Sequence, residues 1–295
     1  MGNYCSCLSK DPKLSEACIV KQSSCKLDQF SDTTQSFDQL NKNNIVLIVK
    51  ENLSKFIITE DELIGFKSEK IQNGLYKGEK DSQGERSGIG QILYEDGSEY
   101  IGYWENDKYN GKGRKISKNG DCYEGEFLNG NFHGQGVMRY FDGGVYIGEW
   151  YDGTQSGVGE ESWPDGAKFK GSYLNGKKHG KGEFLWQDQS KYCGEFVNNK
   201  IEGFGVYLWV DGRVYKGDWK EDKMNGYGEF KWPNGRQYKG NYVMDVKEGY
   251  GEFLWADGKI YKGHWKDGKQ HGVGKMIYPD GKLRVVEWKF GKALN

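Results

Sequence analysis

The chain has 295 residues and carries 42 Lys and Arg against 43 Asp and Glu, a formal net charge of −1. Binding to a phosphate backbone draws on a basic excess, so this balance argues against nucleic acid as a main partner. Four of the six cysteines lie in the first 25 residues. They do not suggest a disulfide framework, and a reducing, intracellular compartment fits them better. No apolar run approaches the roughly 20 residues of a membrane-spanning helix.

Residues 1–10 carry a signal for lipid attachment. The chain begins Met-Gly-Asn-Tyr-Cys-Ser-Cys, which matches the Met-Gly-x-x-x-Ser pattern for myristoylation of Gly2. One myristoyl chain binds a bilayer weakly, with an association constant on the order of 10⁴ M⁻¹, and a second acyl chain makes the attachment stable. The predicted lipid-attachment sites are therefore Gly2, Cys5 and Cys7. The alternatives are a chance match to a short pattern, or a Cys-x-Cys metal site, for which no nearby His or second Cys pair supplies the remaining ligands.

The next two segments differ in composition. Residues 11–44 are polar with little sustained periodicity, which predicts a flexible tether. In residues 45–75, Ile45–Val49 and Phe56–Thr59 are apolar, β-branched strand candidates. Thr59–Glu62 has the form of a helix capping box. Because an exposed sheet edge needs covering, residues 45–75 are predicted to cap the first edge of the repeats that follow.

A unit of 23 residues repeats from Tyr76 onward, with one interval of 24 between the first two copies. All but three of the 45 glycines (Gly2, Gly65 and Gly74) and all ten tryptophans lie in this part of the chain. Each unit opens on a lead ring: Tyr76, Tyr100, Tyr123, Tyr146, Phe169, Tyr192, Tyr215, Tyr238 and Tyr261. Two residues later comes a lead glycine: Gly78, Gly102, Gly125, Gly148, Gly171, Gly194, Gly217, Gly240 and Gly263. Two residues further comes a second ring, replaced by Lys80 in unit one: Trp104, Phe127, Trp150, Tyr173, Phe196, Trp219, Tyr242 and Trp265. A period of two predicts a strand with all three residues on one face.

The second half of each unit predicts a hairpin. A loop is expected next, and then Gly-x-Gly, whose second glycine starts another alternation, as in Gly228, Phe230 and Trp232. An Asp-Gly or Asn-Gly dipeptide ends every unit except the fifth, which has Asp188 and Gln189. Both residues of this dipeptide tolerate positive φ, so it predicts a tight turn. The strand glycines are predicted to leave room for a ring from the adjacent strand.

Nine such units, residues 76–281, predict an array of stacked hairpins that bury a continuous row of rings. At two strands per unit the array would extend for roughly 90 Å. Residues 282–295 retain Trp288 but have lost the lead ring and glycine, as an atypical terminal repeat does.

The unit resembles the MORN repeat (membrane occupation and recognition nexus) over about three-quarters of the chain. The matching pattern is Tyr-x-Gly-Glu-Trp, then Gly-x-Gly, then aromatic-x-Asp-Gly. The resemblance implies an all-β fold: an elongated, twisted antiparallel β-hairpin array, here with a flexible N-terminal segment. It also implies a scaffold or targeting role, and direct phospholipid binding is often proposed for the family.

An enzyme is not expected, nor is a cofactor or a metal. His133, His179 and His271 share one repeat position and are interpreted as loop residues. No glycine-lysine pair is followed by Ser or Thr, so the Gly-x-Gly pairs are not a phosphate-binding loop. The carboxylates recur with the repeat, which favours cross-strand pairing over an acid/base dyad.

The sequence thus predicts a non-enzymatic scaffold for protein partners, attached by its acylated N-terminus to the cytosolic face of a membrane, with the plasma membrane or cell cortex favoured. One alternative is an axonemal structural protein of radial-spoke type in a cilium. Another is a phospholipid-head-group-binding module, for which four lysines at one repeat position would supply the contacts: Lys170, Lys216, Lys239 and Lys262.

Overall fold

A computed structural model describes Ile58 and residues 60–294 of the chain. The predicted acylation signal, the predicted tether and the strand candidate Ile45–Val49 lie outside these residues. So does the candidate Phe56–Thr59, except for Ile58, which is not in a strand.

The described residues form one open antiparallel sheet of 21 strands, which confirms the predicted all-β class. Each strand pairs with the strand that follows it in the chain, so the sheet is a continuous meander. A short 3-10 helix, Glu60–Leu63, precedes it. The strands are β1 Glu69–Ile71, β2 Gly74–Lys80, β3 Arg86–Tyr94, β4 Glu99–Glu105, β5 Lys108–Ile116, β6 Cys122–Leu128, β7 Asn131–Arg139, β8 Val145–Tyr151, β9 Thr154–Ser162, β10 Lys168–Leu174, β11 Lys177–Leu185, β12 Lys191–Val197, β13 Lys200–Leu208, β14 Val214–Lys220, β15 Lys223–Lys231, β16 Gln237–Val243, β17 Val246–Leu254, β18 Ile260–Lys266, β19 Lys269–Ile277, β20 Leu283–Lys289 and β21 Lys292–Leu294.

Each unit pairs a strand of seven residues with one of nine, as in β14 and β15. The two extra residues form a bulge, because Gly217 lies opposite Gly228 whereas Trp219 lies opposite Met224. At the bulge Gly226 has a φ of 95°, a conformation that favours glycine. The long strand therefore begins before Gly-x-Gly, at Lys223, so most of the loop predicted ahead of that motif is strand and only a short turn at Glu221 and Asp222 remains.

The same register corrects the interpretation of three histidines as loop residues. His133, His179 and His271 lie inside β7, β11 and β19, just before the bulge glycine. His133 is paired across the sheet with Glu126. The sequence pattern hides this because a bulge interrupts the alternation of two, and the interruption looks like a loop.

The Asp-Gly or Asn-Gly turn lies where it was predicted. At Trp232–Arg236, the Trp232 amide donates to the Arg236 carbonyl (3.0 Å) and the Gly235 amide donates to the Trp232 carbonyl (3.1 Å). Gly235 has positive φ, and Asn234 is absent from the residues that do. Asn234 contributes through its side chain, whose Oδ1 accepts the Arg236 amide at 3.3 Å. The predicted tight turn is present, with positive φ at the glycine alone and a hydrogen bond accepted by the side chain of the residue before it.

A second kind of turn joins the two strands of a unit. Between β14 and β15, Glu221 and Asp222 have φ values of 49° and 66°, so both residues are left-handed, as in a type I′ hairpin. The corresponding turn between β16 and β17 has Met244 (48°) and Asp245 (72°). Half of the eight such turns in units two to nine contain an Asn-Gly or Asp-Gly dipeptide, which signals this conformation: Asn129-Gly130, Asp152-Gly153, Asn175-Gly176 and Asp267-Gly268.

An additional hydrogen bond ties some units to the unit before. The Ile201 amide donates to Asp222 Oδ1 at 2.7 Å, and the Asp222 amide returns a bond to the Ile201 carbonyl at 3.0 Å. We call this reciprocal pair a clamp. Clamps occur at four junctions: Arg86 with Asp107, Lys178 with Asn199, Ile201 with Asp222, and Met224 with Asp245. Where glycine replaces the acid or amide, as at Gly130, Gly153 and Gly176, only the backbone bond remains at this position.

The two ends of the sheet are built differently. At the first end, β1 pairs with β2 and extends the sheet by one short strand. Leu63 of the 3-10 helix is fully buried and packs with Ile58 and Ile101, on the face opposite to Tyr100. At the other end β20 and β21 form a last hairpin, in which the Trp288 ring lies 5.8 Å from Tyr261.

Candidate protein-binding surface

The core of each unit is a lead ring lying over two glycines. Tyr215 is fully buried, and a Cβ on either Gly217 or Gly228 would come within 3.0 Å of its ring or hydroxyl. Gly228 is on the adjacent strand, as expected, while Gly217 is on the strand of the tyrosine itself. The Tyr215 hydroxyl donates to the Asp218 carbonyl at 2.9 Å. Every other lead tyrosine makes the same bond to the residue three positions on: Tyr76, Tyr100, Tyr123, Tyr146, Tyr192, Tyr238 and Tyr261.

The second rings join neighbouring units. Trp219 packs edge-on against Tyr215 of its own unit (5.0 Å between centroids) and against Tyr192 of the unit before (5.7 Å). Such offset and perpendicular ring pairs each add about 0.5–1.5 kcal/mol beyond the burial of their area. The ring positions singled out in the sequence are all buried here: Tyr100, Trp104, Tyr123, Tyr146, Trp150, Tyr215, Trp219, Tyr238, Tyr261 and Trp265. They are used for packing, so they are not available to a partner.

The predicted head-group lysines lie on the opposite face, among glutamates. Lys216 is paired across the sheet with Glu229, whose carboxylate also lies 3.6 Å from the Lys239 ammonium. Lys262 donates to Glu252 at 2.9 Å. Lys170 is paired in register with Glu160 and Glu183. The lysine stripe is therefore matched by carboxylates along its length.

The second residue of each long strand is a repeat position that the sequence pattern does not single out. In unit eight it is Lys247, whose ammonium lies 4.9–5.2 Å from the centroids of Trp232, Tyr238, Phe253 and Trp265. Burial, with a smaller contribution from Arg236, lowers the pKa of Lys247 to about 8. In unit five the residue is Lys178, which has similar ring contacts and also lies 3.5 Å from Glu161.

A continuous row of rings lies on the glycine face, and we call it the aromatic ladder. Consecutive rings of the ladder are 4.4–5.7 Å apart between centroids. Its nine members, in order, are Trp163, Phe184, Trp186, Tyr207, Trp209, Phe230, Trp232, Phe253 and Trp255. Phe230 and Phe253 are buried, and the other rings keep a part of their surface in solvent. Large rings that are packed in place but still accessible are the kind of residue that dominates binding at protein interfaces.

A cleft of about 500 Å³ lies over the first part of the ladder. Its rings are Trp163, Phe184, Trp186 and Tyr207, and the turn residues of units four and five complete its lining: Asp165, Ala167, Gln187, Asp188 and Ser190. The Ser190 hydroxyl donates to Asp188 Oδ1 at 2.6 Å and lies 3.1 Å from the Tyr207 hydroxyl. The cleft thus combines aromatic walls with carboxylates in the turns.

Within the described residues, no group of three or more His, Cys, Asp or Glu side chains is placed to hold a metal ion. No helix in this part of the chain is both long and apolar enough to span a bilayer. Cys122 and Cys193 are buried and form no disulfide.

The stability of the sheet is expected to peak near pH 10. Burial raises the pKa of Tyr76 and Tyr261 to about 12 from an ordinary value near 10. The folded state therefore holds these protons longer than the unfolded chain, and their contribution is complete below about pH 10 and lost towards pH 12. Lys247 has the opposite sign, because the unfolded chain holds more protons between about pH 8 and 10.5 and stability rises across that window.

Urea denaturation at several pH values and constant ionic strength tests this profile. The midpoint should rise from about pH 8 to 10 and then fall. Lys247→Met should abolish the rise and leave the fall unchanged. A flat profile above pH 10 would contradict the assignment of the buried tyrosines.

The MORN-repeat family model matches this chain at eight consecutive segments: 100–122, 123–145, 146–168, 169–191, 192–212, 215–235, 238–260 and 261–282. The chain belongs to the MORN-repeat family. The hairpin that begins at Tyr76 lies outside the matched segments, but it has the strand pairing and bulge of the eight MORN repeats and the tyrosine hydrogen bond of the seven that begin with tyrosine. A comparison with curated protein sequences gives no significant match.

Several solved structures are similar to the MORN array at low sequence identity. The TCP10 domain of Danio rerio CPAP, in complex with a peptide of Danio rerio STIL, is 13% identical with a TM-score of 0.43, over 75% of this chain and 97% of that chain. The G-box domain of the microcephaly protein CPAP is 16% identical with a TM-score of 0.36, over 68% of this chain and all of that chain. The TCP domain of Drosophila melanogaster SAS-4, in complex with a proline-rich motif of Ana2, is 14% identical with a TM-score of 0.28, over 67% and 88%. Similarity at this level carries no inference about partners.

Proposed function

We propose that this MORN-repeat protein is a non-enzymatic scaffold, held at the cytosolic face of a membrane by its acylated N-terminus, that presents the glycine face of its sheet to protein partners. The plasma membrane or cell cortex is the favoured location. The observation that carries the scaffold role is the aromatic ladder: a row of nine rings, seven of them partly accessible, fixed by packing across five consecutive units.

The distribution of ionisable groups supports binding rather than catalysis. Carboxylates on the opposite face pair with lysines at equivalent positions in successive units, as Glu229 does with Lys239 and Glu252 with Lys262. The histidines at the bulges also repeat. A catalytic site needs a few groups set apart from the rest in geometry and pKa, whereas here the same arrangement recurs from one unit to the next.

The attachment to a membrane rests on the sequence of the first seven residues. Gly2 lies in a myristoylation pattern, and Cys5 and Cys7 are close enough to receive a second acyl chain once the first has brought the tip to a bilayer. The sheet itself would attract a membrane only weakly, because the lysines predicted to contact phospholipid head groups lie beside glutamates. This pairing does not favour direct phospholipid binding as the main function.

Fractionation of cells that express the full chain tests the attachment. The wild-type protein is expected in the membrane fraction, Gly2→Ala in the soluble fraction, and the Cys5→Ser/Cys7→Ser double variant in between, because myristate alone binds weakly. Asn3→Ala is a suitable control, since position three is unrestricted in the pattern. Identical partition of wild type and Gly2→Ala would refute lipid attachment, and recovery of the wild type with axonemes would favour the ciliary alternative.

A further inference from the structure

The turns of units six and seven cover their own tryptophans with arginine. The Arg213 guanidinium lies 5.2 Å from the Trp209 ring centroid, and its Nε donates to Asp211 Oδ2 at 2.7 Å. Arg236 lies 5.4 Å from the Trp232 ring, and its Nε donates to Asn234 Oδ1 at 3.1 Å. A guanidinium stacked on an indole and bonded to a side-chain oxygen two residues before it is therefore an arrangement that this sheet forms more than once.

The turn of unit five has the same tryptophan and aspartate but no arginine. Trp186 and Asp188 occupy the repeat positions of Trp209 and Asp211, 23 residues earlier, and Ser190 stands where unit six has Arg213. In unit four, Ala167 holds that position. Because this position holds a small residue in both unit four and unit five, a cleft of about 500 Å³ remains over the ladder.

The carboxylate of Asp188 is ionised, and its Oδ2 atom can accept a hydrogen bond from a cation. Its Oδ1 accepts the Ser190 amide at 2.9 Å and the Ser190 hydroxyl at 2.6 Å, and these bonds lower the pKa of Asp188, so it is ionised. Among the described residues, none donates a hydrogen bond to its Oδ2. In unit six the corresponding oxygen, Oδ2 of Asp211, is the atom that bonds the guanidinium.

The charges around the cleft favour the Trp186 side over the Trp163 side. Lys178 already lies 4.8 Å from the Trp163 ring and 3.5 Å from Glu161, so a second cation there would meet a like charge. Lys191, next to Ser190, has its ammonium 2.5 Å from Glu183. The turn residues Asp165 and Asp188 are both acidic.

We propose that this cleft binds an arginine side chain of a partner protein, with the guanidinium stacked on Trp186 and bonded to Asp188 Oδ2. The inference rests on the proposed scaffold function and names the chemistry of its partner. Arginine fits better than lysine because its planar, weakly hydrated guanidinium stacks on an indole while donating sideways to a carboxylate. The partner's arginine would occupy the place that Arg213 fills from within the chain one unit later.

Titration of the full-length protein with N-acetyl-arginine amide tests the cleft directly. The indole N–H signal of Trp186, assigned by its loss in Trp186→Phe, is expected to shift saturably with a dissociation constant on the order of 1 mM, as suits a single side chain. N-acetyl-citrulline amide, which has the same shape without the charge, should bind at least tenfold more weakly. Asp188→Asn should weaken the arginine probe by a similar factor.

A variant whose own arginine fills the cleft, which we call the plugged variant, tests whether the probe binds in the cleft or elsewhere on the sheet. Gln189→Gly/Ser190→Arg recreates the Asp-Gly-Arg turn of unit six and should abolish the shift, whereas Gln189→Gly alone should leave it unchanged. No saturable shift in the wild type, an equal shift with citrulline, or an undiminished shift in the plugged variant would each overturn the proposal. Those outcomes leave the membrane partition of Gly2→Ala untouched, so failure of the cleft is distinguishable from failure of the attachment.

Discussion

Gly228→Ala is expected to destabilise the sheet by about 3 kcal/mol, the upper end of the usual cost of overpacking a core. A Cβ at this position would come within 3.0 Å of three atoms of Tyr215. The ring cannot move aside, because it is fully buried and its hydroxyl is held by the Asp218 carbonyl. Gly228 does not have positive φ, so alanine suits its backbone and the whole effect comes from packing.

Gly235→Ala is the matched control. Gly235 has a φ of 84° and open space around its Cα, so alanine there meets backbone strain and no side chain. The expected loss is about 1 kcal/mol. Urea denaturation followed by tryptophan fluorescence measures both variants. If Gly228→Ala costs no more than Gly235→Ala, the close contact between ring and glycine is not what makes glycine necessary in the strand.

Tyr215→Ala is expected to cost about 4 kcal/mol, as removal of a large buried ring does elsewhere. The ring makes perpendicular contacts with Trp219 of its own unit and Tyr242 of the next, at 5.0 and 5.5 Å. Its removal therefore leaves a cavity at a junction between units and weakens both.

Tyr215→Phe isolates the hydroxyl. The ring and its contacts remain, and only the bond to the Asp218 carbonyl is lost, for an expected cost of about 1 kcal/mol. Unit five shows that the exchange is tolerated, because Phe169 takes the lead position there and is equally buried. Denaturation midpoints of the two variants give the comparison. A similar loss for Tyr215→Phe and Tyr215→Ala would mean that the hydroxyl bond, and not the ring, supports the junction.

The strands and their buried face could be predicted because the evidence for them recurs nine times. Lead ring, lead glycine and second ring keep a spacing of two in unit after unit, which only an extended strand places on one face. The turns were harder to derive. The Asp-Gly or Asn-Gly that ends a unit indicated its turn correctly, whereas some turns inside the units are formed by pairs without such a signal, such as Glu221–Asp222 and Met244–Asp245. The register of the flanking strands imposes positive φ on these residues, and their own preferences do not reveal it.

The cleft could not be predicted from one unit alone, because it results from the small Ser190 at a position where unit six has an arginine. Ser190 is an ordinary turn residue until it is compared with Arg213, one unit later. A signal was nevertheless present: unit five is the only one of the nine that lacks the glycine of Asp-Gly or Asn-Gly, and Gln189 takes the left-handed conformation (φ of 70°) that glycine has elsewhere. The contact between the Trp186 ring and its neighbours depends on the pairing of separate strands and needed the structure.

The clamps make the resistance of the sheet to local opening uneven along the chain. Three successive junctions, from Lys178 to Asp245, have a side-chain bond in addition to the backbone bond, whereas the junctions at Gly130, Gly153 and Gly176 have the backbone bond alone at that position. In a repeat protein each unit is supported by its immediate neighbours, so thermal fluctuations separate the weakest junction first. Amide protons are therefore expected to exchange with water sooner at the junctions of Gly130, Gly153 and Gly176, and at those of Gly268 and Gly291 near the end of the array, than between Lys178 and Asp245. The change from fast to slow exchange in the middle of the array falls in unit five, which holds Trp186.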